Sequence, residues 1–398
     1  MQAAPTDPEV SQSEPSGLGI QFWSLIVATF LAFLGIGTVL PGMALHVRHD
    51  LGGSDRTVGF VIGTFSVIAL GSRFISGPLA DRKGRKIAFL TGLVACGCAG
   101  LAYFLPLGIF GMYLGRGMRG FGEACLYTGA AAWAVESAGV ERSGRALGFV
   151  STGIWGGFSA GPVIGQWLGT FERAAALQVI AAIAAFAFLW RVPEHYVPHP
   201  WPGKRMWIPG HLIPSGLAVG FVNIHYPVMT GFLILHMART GGPGPLAFSA
   251  WAVMVLVTRF FLGGLPDRLP ASLTYYVGLA SMAAGLAILA FIPGPTVSVA
   301  ATILIGFGFA FPWSSVAATV LKRTDSHQRG STVGVLSAFV DMFVGSGSFT
   351  AGMLADRFGY NAAFMLALAG IGGAAIVGFK VFQSPPVNTG SAPAGLRG

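Results

Sequence analysis

The sequence contains few charged residues and few cysteines for its length. Only 10 % of its 398 residues are charged, whereas about 25 % is usual in a soluble domain. A chain so poor in charge cannot cover itself with polar surface, which argues against a soluble globular enzyme. The three cysteines, Cys96, Cys98 and Cys125, lie inside apolar runs without the spacing of metal ligands, and their odd number argues against a disulfide scaffold.

Signatures of catalysis and of nucleotide binding are missing too. The sequence has no G-x-x-x-x-G-K-[ST] phosphate loop, no H-E-x-x-H metal motif and no G-x-S-x-G nucleophile motif, so it indicates neither ATP-driven nor hydrolytic chemistry. The formal net charge of +9 would suggest nucleic-acid binding in a soluble protein, but here Lys and Arg are expected to mark cytoplasmic loops. We therefore predict no enzyme activity, no cofactor, no metal site and no nucleic-acid partner.

Long apolar runs account for most of the chain. Apolar residues make up 53 % of the sequence, the mean hydropathy is +0.68, and the 59 glycines suit close packing of membrane helices. A helix that crosses a bilayer needs about 20 mostly apolar residues. The sequence therefore predicts an all-α membrane protein with twelve transmembrane helices, to within a few residues at 20–45, 56–79, 87–106, 109–138, 146–169, 174–192, 208–236, 246–265, 272–292, 296–321, 330–353 and 360–382.

A polar segment divides the twelve runs into two sets of six. Residues 193–207 are predicted to be a cytoplasmic linker between an N-terminal bundle at 20–192 and a C-terminal bundle at 208–382. Residues 1–19, which lack the basic start of a signal peptide, and 383–398 are expected to be disordered cytoplasmic tails. Fifteen Lys and Arg fall on the side of the termini and five on the other, so we expect cytoplasmic termini in a bacterial inner membrane.

The two halves repeat each other at one constant shift in residue number, which we call the repeat shift. It takes Arg73 to Arg259 and Asp81 to Asp267 without a gap. Charges in or beside membrane spans are rare and costly, so these matches do not follow from apolar composition alone. Similar bundles joined by a central loop are typical of transporters, whose binding site lies between the halves. Further pairs matched by the repeat shift are Pro41 with Pro227, Gly120 with Gly306, Gly144 with Gly330 and Gly148 with Gly334.

Several motifs resemble those of the major facilitator superfamily. The stretch from Gly77 to Lys86 is similar to that family's G-x-L-a-D-r-x-G-r-k signature, with every strong position filled. The fifth run resembles its antiporter signature, which ends in G-P-x-x-G-G, except that Gln166 replaces the last glycine. Arg116-x-x-Arg119-Gly120 is similar to its R-x-x-Q-G element, with Arg119 where Gln is usual. The resemblance covers essentially residues 20–382.

One branch of that family gives the more specific likeness. The Arg73 and Arg259 pair, with Thr128-Gly129-Ala130 ahead of Trp133, resembles the bacterial drug-efflux and sugar-efflux members, which are proton antiporters. The resemblance implies the twelve-helix fold in two pseudo-symmetric bundles, alternating access, a proton gradient as the driving force, and a monomer in the lipid membrane.

The resemblance also implies a conformational latch on the cytoplasmic side. Its expected members hold the two halves together in the outward-facing state, with Arg85 paired to Glu136 or Glu141. Glycines at both ends of the motif are expected to bracket a tight turn between two helices. A simple topology anchor of positive charge is the alternative. The expected latch residues are Gly77, Asp81, Arg82, Gly84, Arg85 and Glu136.

Small residues in the fifth run predict a packing face. Gly157, Gly161 and Gly165 are spaced by four and therefore lie on one side of a helix, where a partner helix packs closely. Pro162 is expected to add a bend. The resemblance implies that this element favours exchange over leak, and ordinary helix packing is the alternative.

Two deep carboxyl groups are candidates for proton coupling. Glu123 shares a helix face with Arg116 and Arg119, so it is either one member of a self-neutralising pair or a group that binds and releases a proton. Asp341 has no basic residue within a turn of its own run. It is either a proton relay or a hydrogen-bonding group at a helix interface. For Arg73 and Arg259 a structural task, such as bonding the carbonyl end of a neighbouring helix, competes with substrate binding.

Polar residues of the fourth and seventh runs are candidates for binding a small-molecule substrate. In the seventh run they cluster beside Pro227, where an interrupted helix frees backbone groups. A packing role is the alternative for the histidine, and aromatic residues such as Trp155 cannot be told apart from lipid-facing ones. The predicted substrate-binding residues are Arg116, Arg119, Tyr127, Asn223, His225 and Tyr226.

These observations favour a secondary active transporter. The leading hypothesis is proton-coupled export of a small amphipathic or zwitterionic molecule, because the interior mixes Arg, Glu and Asp. An inward-directed proton symporter or facilitator of an organic anion or sugar is the first alternative, and a transporter-derived sensor is the second.

Overall fold

A computed structural model describes residues 19–138, 142–194, 209–292, 294–324 and 329–383, and this part of the chain contains helices but no strand. The expected tails and most of the linker lie outside it, as does Glu141. Twelve long helices, numbered in chain order, run through Ile20–Thr38 with Leu40–Leu45 and His46–Asp50, Asp55–Lys83, Arg85–Ala102, Ile109–Ala138, Ser143–Leu168, Phe171–Trp190, Gly210–Leu212 with Ile213–Asn223 and His225–Thr240, Gly244–Leu262, Ala271–Phe291, Pro295–Lys322, Arg329–Phe358 and Tyr360–Gln383.

The prediction of an all-α chain with twelve long helices is confirmed, and each helix overlaps its predicted run. Eleven of the described helices are long and apolar enough to cross a membrane. Helix 4 has the length, with 30 residues, but it carries Arg116, Arg119 and Glu123, all of which are buried. Its polar side chains therefore face the protein interior, as is usual for charges at membrane depth.

Consecutive long helices run in opposite directions, so the chain is back at the end where it started after every second helix. We call the end at which helix 1 begins and helix 12 ends the terminal face, and the other end the distal face. Helices 1 and 7 are each interrupted, at Val39 and Ile224, and a proline follows within a turn in both. Pro41 and Pro227 are matched by the repeat shift, so the same interruption occurs in each half.

Contacts between the halves follow the sequence repeat. Helix 2 packs along helix 11, and helix 8 packs along helix 5. The repeat shift converts helix 2 into helix 8 and helix 5 into helix 11, so the two contacts are equivalent. The halves are therefore related by a pseudo-twofold axis, as two repeated bundles facing each other require.

Glycines form a seam between helices 2 and 11. The backbones of Gly59 and Gly352 touch, and the Ser348 hydroxyl donates a hydrogen bond of 2.7 Å to the Gly59 carbonyl. The same antiparallel register sets Gly77 opposite Gly334, but no heavy atom lies within 4 Å of the position of a Cβ at either. The two helices thus touch toward the distal face and part toward the terminal face.

A buried carboxylate joins both halves at the distal face. Asp55, at the start of helix 2, accepts a hydrogen bond of 2.9 Å from the Tyr360 hydroxyl. Its ion pairs measure 3.2 Å to Arg48 and 3.7 Å to Arg239. These partners belong to helices 1, 7 and 12, so one side chain, only 4 % exposed, connects four helices.

The predicted small-residue face of helix 5 packs against helix 1. Gly157 and Gly161 lie against the backbone at Leu34, and Gly165 lies against the carbonyl of Thr38. Helix 5 continues through Pro162 to Leu168. The packing role is therefore confirmed, whereas directional control of transport by this element stays a prediction.

Gly165→Ala should destabilise the fold, because the added methyl group would overlap the Thr38 carbonyl. Overpacking of this kind costs about 1–3 kcal/mol. Gly148→Ala is the matched control in the same helix, because its Cβ would meet no atom within 4 Å. We expect a lower melting temperature of the purified protein for the first variant and an unchanged or slightly higher one for the second. Equal melting temperatures would contradict the packing role.

Asp55→Asn should loosen the distal face, because it removes the charge that Arg48 and Arg239 share. The readout is the rate of maleimide labelling of Ser348→Cys, a position that is fully buried in the seam, in a background without the native cysteines. We expect faster labelling in Asp55→Asn. Asp50→Asn is the control, because this acid of the same face is exposed and pairs with His46 of its own helix. An unchanged labelling rate in Asp55→Asn would show that the carboxylate does not hold the face closed.

Candidate functional site

A buried ion pair lies halfway along helix 4. The Arg119 Nε atom donates to the Glu123 carboxylate at 2.5 Å, one turn further along the helix. Both side chains are almost fully buried. The pairing predicted from their spacing is confirmed, whereas proton coupling by Glu123 stays a prediction.

Arg116 lies one turn closer to the distal face and has no carboxylate partner among the described residues. Its Nη2 atom donates to the Ile62 carbonyl of helix 2 at 2.8 Å, while its Nε and Nη1 atoms are buried and find no acceptor. The Phe65 ring lies 5.1 Å from the Arg116 guanidinium and 5.0 Å from that of Arg119. The ring face stabilises both cations but satisfies none of their N–H groups.

Asp341 is paired across the interface between the halves. The Arg73 Nε atom of helix 2 donates to its carboxylate at 2.7 Å. Arg73 thus has a structural contact with a neighbouring helix, as one of the two alternatives expected, but the contact is to a carboxylate instead of a carbonyl end, and Asp341 is not isolated. The sequence hid the pair because the partners are 268 residues apart and meet only through the register of helices 2 and 11.

The repeat mate of Arg73 contacts aromatic rings instead of an acid. The Arg259 guanidinium lies 4.1 Å from the Trp155 ring centroid and 5.7 Å from that of Phe309. Trp155 also contacts Phe158, whose ring centroid lies 5.9 Å from the Arg119 guanidinium. A row of aromatic side chains therefore connects the arginine of helix 8 with the ion pair of helix 4.

A small cavity lies against this row, between the two halves. Its volume is about 20 Å³, enough for about one water molecule. Tyr226 lines it, although its predicted role in substrate binding stays a prediction, and the Trp251 Nε1 atom beside it is buried without an acceptor. The other lining residues are Leu40, Trp155, Phe158, Ser159, Pro162, Ala252, Val255 and Phe309.

The remaining predicted substrate-binding residues differ in whether their polar side-chain atoms already have a hydrogen-bond partner. Asn223 donates its amide to the Val219 carbonyl of its own helix at 2.7 Å, so this contact occupies the group. His225 is fully buried with its Nδ1 atom 2.7 Å from the Val222 carbonyl, and its Nε2 atom has no partner. Tyr127 is half-buried and packs edge-on against Phe33.

The latch candidates gather at the terminal face. Arg85 lies 3.1 Å from Asp81 and 3.6 Å from Glu136, so the predicted partner on helix 4 is confirmed. Glu194 was missed from the sequence. Its carboxylate accepts from the backbone amides of Arg85 and Lys86 at 2.6 and 3.0 Å, capping the start of helix 3. Apart from Glu194, which lies at the start of the predicted linker, these residues belong to the first half, and a contact of the latch with the second half stays a prediction.

Only one glycine of the latch motif lies in a turn. Gly84 separates helices 2 and 3 with φ +115°, a conformation that L side chains rarely adopt, and Arg82 is exposed in the last turn of helix 2 just before it. Gly77 lies inside helix 2, so the expectation that both glycines bracket the turn is wrong. Gly77 is instead part of the seam that faces helix 11.

Positive charge exceeds negative charge in the middle of the molecule. Arg73, Arg116, Arg119 and Arg259 face only two carboxylates there, Glu123 and Asp341, among the residues that the structure describes. Buried polar groups are nearly always satisfied in native proteins, yet several guanidinium N–H groups here have no acceptor. The site is therefore suited to a ligand that brings anionic groups and a flat or apolar body.

Comparison with known proteins agrees with this architecture. The family model of the Major Facilitator Superfamily matches residues 25–341 and 229–397. An uncharacterized MFS-type transporter of Salmonella typhimurium is 27 % identical over 380 residues, which cover 90 % of this chain and 96 % of the relative. One from Pseudomonas aeruginosa is 26 % identical over 387 residues, which cover 93 % of this chain and 95 % of the relative.

Solved structures show the same fold. The nucleoside transporter NupG superposes with a TM-score of 0.69 at 14 % identity, covering 91 % of this chain and 98 % of the other. The human organic anion transporter MFSD10 (TETRAN) gives 0.69 at 15 % identity with the same coverage. With its repeated six-helix bundles, its interrupted helices 1 and 7 and a family match along nearly its whole length, the chain belongs to the major facilitator superfamily of membrane transporters.

Proposed function

We propose that the protein exports a small zwitterionic or amphipathic molecule from the bacterial cytoplasm in exchange for protons. The observation that carries this proposal is the buried Arg119–Glu123 pair surrounded by guanidinium groups without acceptors. Such a site offers cationic partners for the anionic groups of a cargo and one carboxylate for a cationic group. The proton gradient supplies the driving force.

The charges of the cargo decide the mode of proton coupling. When a cargo places an ammonium group on Glu123, cargo and proton compete for one carboxylate, and mutual exclusion of this kind produces exchange. The glycine face of helix 5 is similar to the antiporter signature, and this similarity also favours exchange. Surplus guanidinium groups then hold the carboxylates of the cargo, because a bidentate Arg–carboxylate contact is among the strongest hydrogen-bonded pairs.

The described conformation fits an inward-facing state. The distal face is joined through Asp55, whereas helices 2 and 11 part toward the terminal face, where Gly77 and Gly334 lie open. The basic residues concentrated at the terminal face support a cytoplasmic location of that face. In the alternate state we expect the seam to close at Gly77 and to open at Gly59, while the latch motif engages the second half.

Symport of a simple organic anion is the second candidate. It is favoured by the excess of buried arginines, because protonation of Glu123 would release Arg119 for the anion. Proton and anion would then bind together, which is the linkage that symport requires. The fold neighbour MFSD10 is named an organic anion transporter, which is compatible with this candidate.

Glu123→Gln should uncouple cargo movement from protons. A thermal-shift screen of amino-acid derivatives, together with their esters and deaminated forms, identifies the cargo. Proteoliposomes with an internal pH dye then measure cargo and proton flux. Coupled sites typically influence each other by about 5–150-fold. In Glu123→Gln the factor by which protons change the apparent affinity for cargo should fall to unity, so any cargo exchange that remains no longer depends on the pH gradient.

Asp341→Asn is the matched control for this experiment, because it removes the other deep carboxylate. We expect it to keep the pH dependence. Loss of coupling in Asp341→Asn but not in Glu123→Gln would transfer the proton site to the Arg73 pair. Proton flux in the same direction as the cargo would replace exchange by symport.

Cysteines introduced at Gly77 and Gly334 should trap the outward-facing state. The two positions are opposite in the seam but have open space around them, so a cross-link forms only when the terminal face closes. We expect cargo to accelerate cross-linking and the cross-link to abolish transport. Each single-cysteine variant serves as the control and should form no cross-link between helices 2 and 11. Equal cross-linking of the pair with and without cargo would contradict alternating access along this seam.

A further inference from the structure

The two contacts between the halves are equivalent in position but differ in chemistry. The repeat shift takes Arg73 to Arg259 and Trp155 to Asp341. On helices 2 and 11 an arginine and a carboxylate meet at 2.7 Å. On helices 8 and 5 the same two positions hold an arginine and an indole, 4.1 Å apart. The second contact therefore repeats the first without its anion.

Arg259 leaves free the edge of its guanidinium that fits a carboxylate. Its Nε and Nη2 atoms are buried and have no hydrogen-bond partner among the described residues. These two nitrogens lie side by side and together make the two parallel hydrogen bonds of a bidentate carboxylate contact. In the equivalent contact, the Nε atom on this edge of Arg73 holds Asp341.

The other buried arginines of the site do not offer that edge. The free atoms of Arg116 are Nε and Nη1, which point in different directions. The Nε atom of Arg119 is occupied by Glu123 at 2.5 Å. Arg259 is thus the arginine of this site whose donors match a planar anion.

Trp155 leaves that edge available while it holds the cation. A guanidinium stacked on an aromatic face keeps its N–H groups in its own plane, directed past the ring. Phe309 supports the same guanidinium at 5.7 Å, and both rings border the cavity of about 20 Å³. Since that space holds about one water molecule, an organic anion would need helices 5 and 8 to separate, and its binding would favour the separated state.

We infer that Arg259 binds a carboxylate of the cargo in the position that Asp341 occupies on Arg73 in the equivalent contact. Trp155 supplies the flat surface against which a planar or aromatic part of the cargo packs. This inference rests on the proposed transport function and names one half of its binding site, in helices 5 and 8. Arg73 and Asp341 are the structural counterpart, already neutralised by the protein itself.

The test uses benzoate as the probe and its neutral amide, benzamide, as the control ligand. We expect benzoate at tens of millimolar to raise the melting temperature of the purified protein and benzamide to leave it unchanged. Arg259→Gln should abolish the benzoate response, and Arg259→Lys, which keeps the charge but loses the fork, should weaken it. Arg73→Gln is the matched control from the equivalent contact and should keep the response.

Trp155→Asp gives a complementary test, because it places a carboxylate at the position equivalent to Asp341. This variant should bind its own Arg259 and lose the benzoate response, whereas Trp155→Phe should keep it. If Trp155→Asp does not fold, the two Arg259 variants decide. A benzoate response that survives in Arg259→Gln, or that is absent from the unaltered protein, overturns the inference.

The two proposals fail in different ways. If benzoate still stabilises Arg259→Gln but not Arg119→Gln, the carboxylate site moves to helix 4 and proton-coupled transport stands. If Arg259→Gln loses benzoate while no cargo moves protons in proteoliposomes, the anion site stands and the coupled transport fails.

Discussion

Charge at membrane depth is the constraint on which this molecule depends. A guanidinium or carboxylate in the middle of a bilayer is tolerated only when it is paired or faces an internal space. Helix 4 brings Arg116, Arg119 and Glu123 into the interior. The helices around it supply the Ile62 carbonyl and the ring faces of Phe65 and Phe158. The bundle is thus organised around cations that it only partly neutralises, and the proposed cargo site rests on that partial neutralisation.

The repeat distributes these charges unequally over two similar halves. The interface of helices 2 and 11 contains an ion pair and a glycine seam, whereas the interface of helices 5 and 8 contains a cation on an indole and a hydrogen bond of 2.9 Å from Ser249 to Gln166. The first interface satisfies its own charge and can act as a pivot. The second leaves the Arg259 Nε and Nη2 atoms without hydrogen-bond partners, and for that reason the anion site is proposed there.

Local features of the sequence were enough to predict most of the fold. Apolar run length fixed the twelve helices, spacing by four predicted both the Arg119–Glu123 pair and the face formed by Gly157, Gly161 and Gly165, and the repeat shift revealed the two halves. These signals act within one helix or between repeated segments, so they need no knowledge of how distant helices pack.

The missed contacts all depend on that packing. The Arg73–Asp341 pair, the cluster around Asp55 and the stacking of Arg259 on Trp155 join helices that are far apart in the chain. Aromatic residues are so frequent that those lining the site could not be separated from those facing lipid. The repeat shift did hold one usable signal, because it aligns an aspartate with a tryptophan between otherwise similar halves.

The glycine seam has a consequence for the energetics of transport. Gly59 and Gly352 are in contact at one end of helices 2 and 11. Gly77 and Gly334 lie opposite each other toward the other end, in the same register, but are not in contact. In the proposed motion, one backbone contact without side chains would be exchanged for another of the same kind. Closing the seam at Gly77 and Gly334 would then require no side chain to repack between helices 2 and 11, because small residues let two helix backbones approach closely.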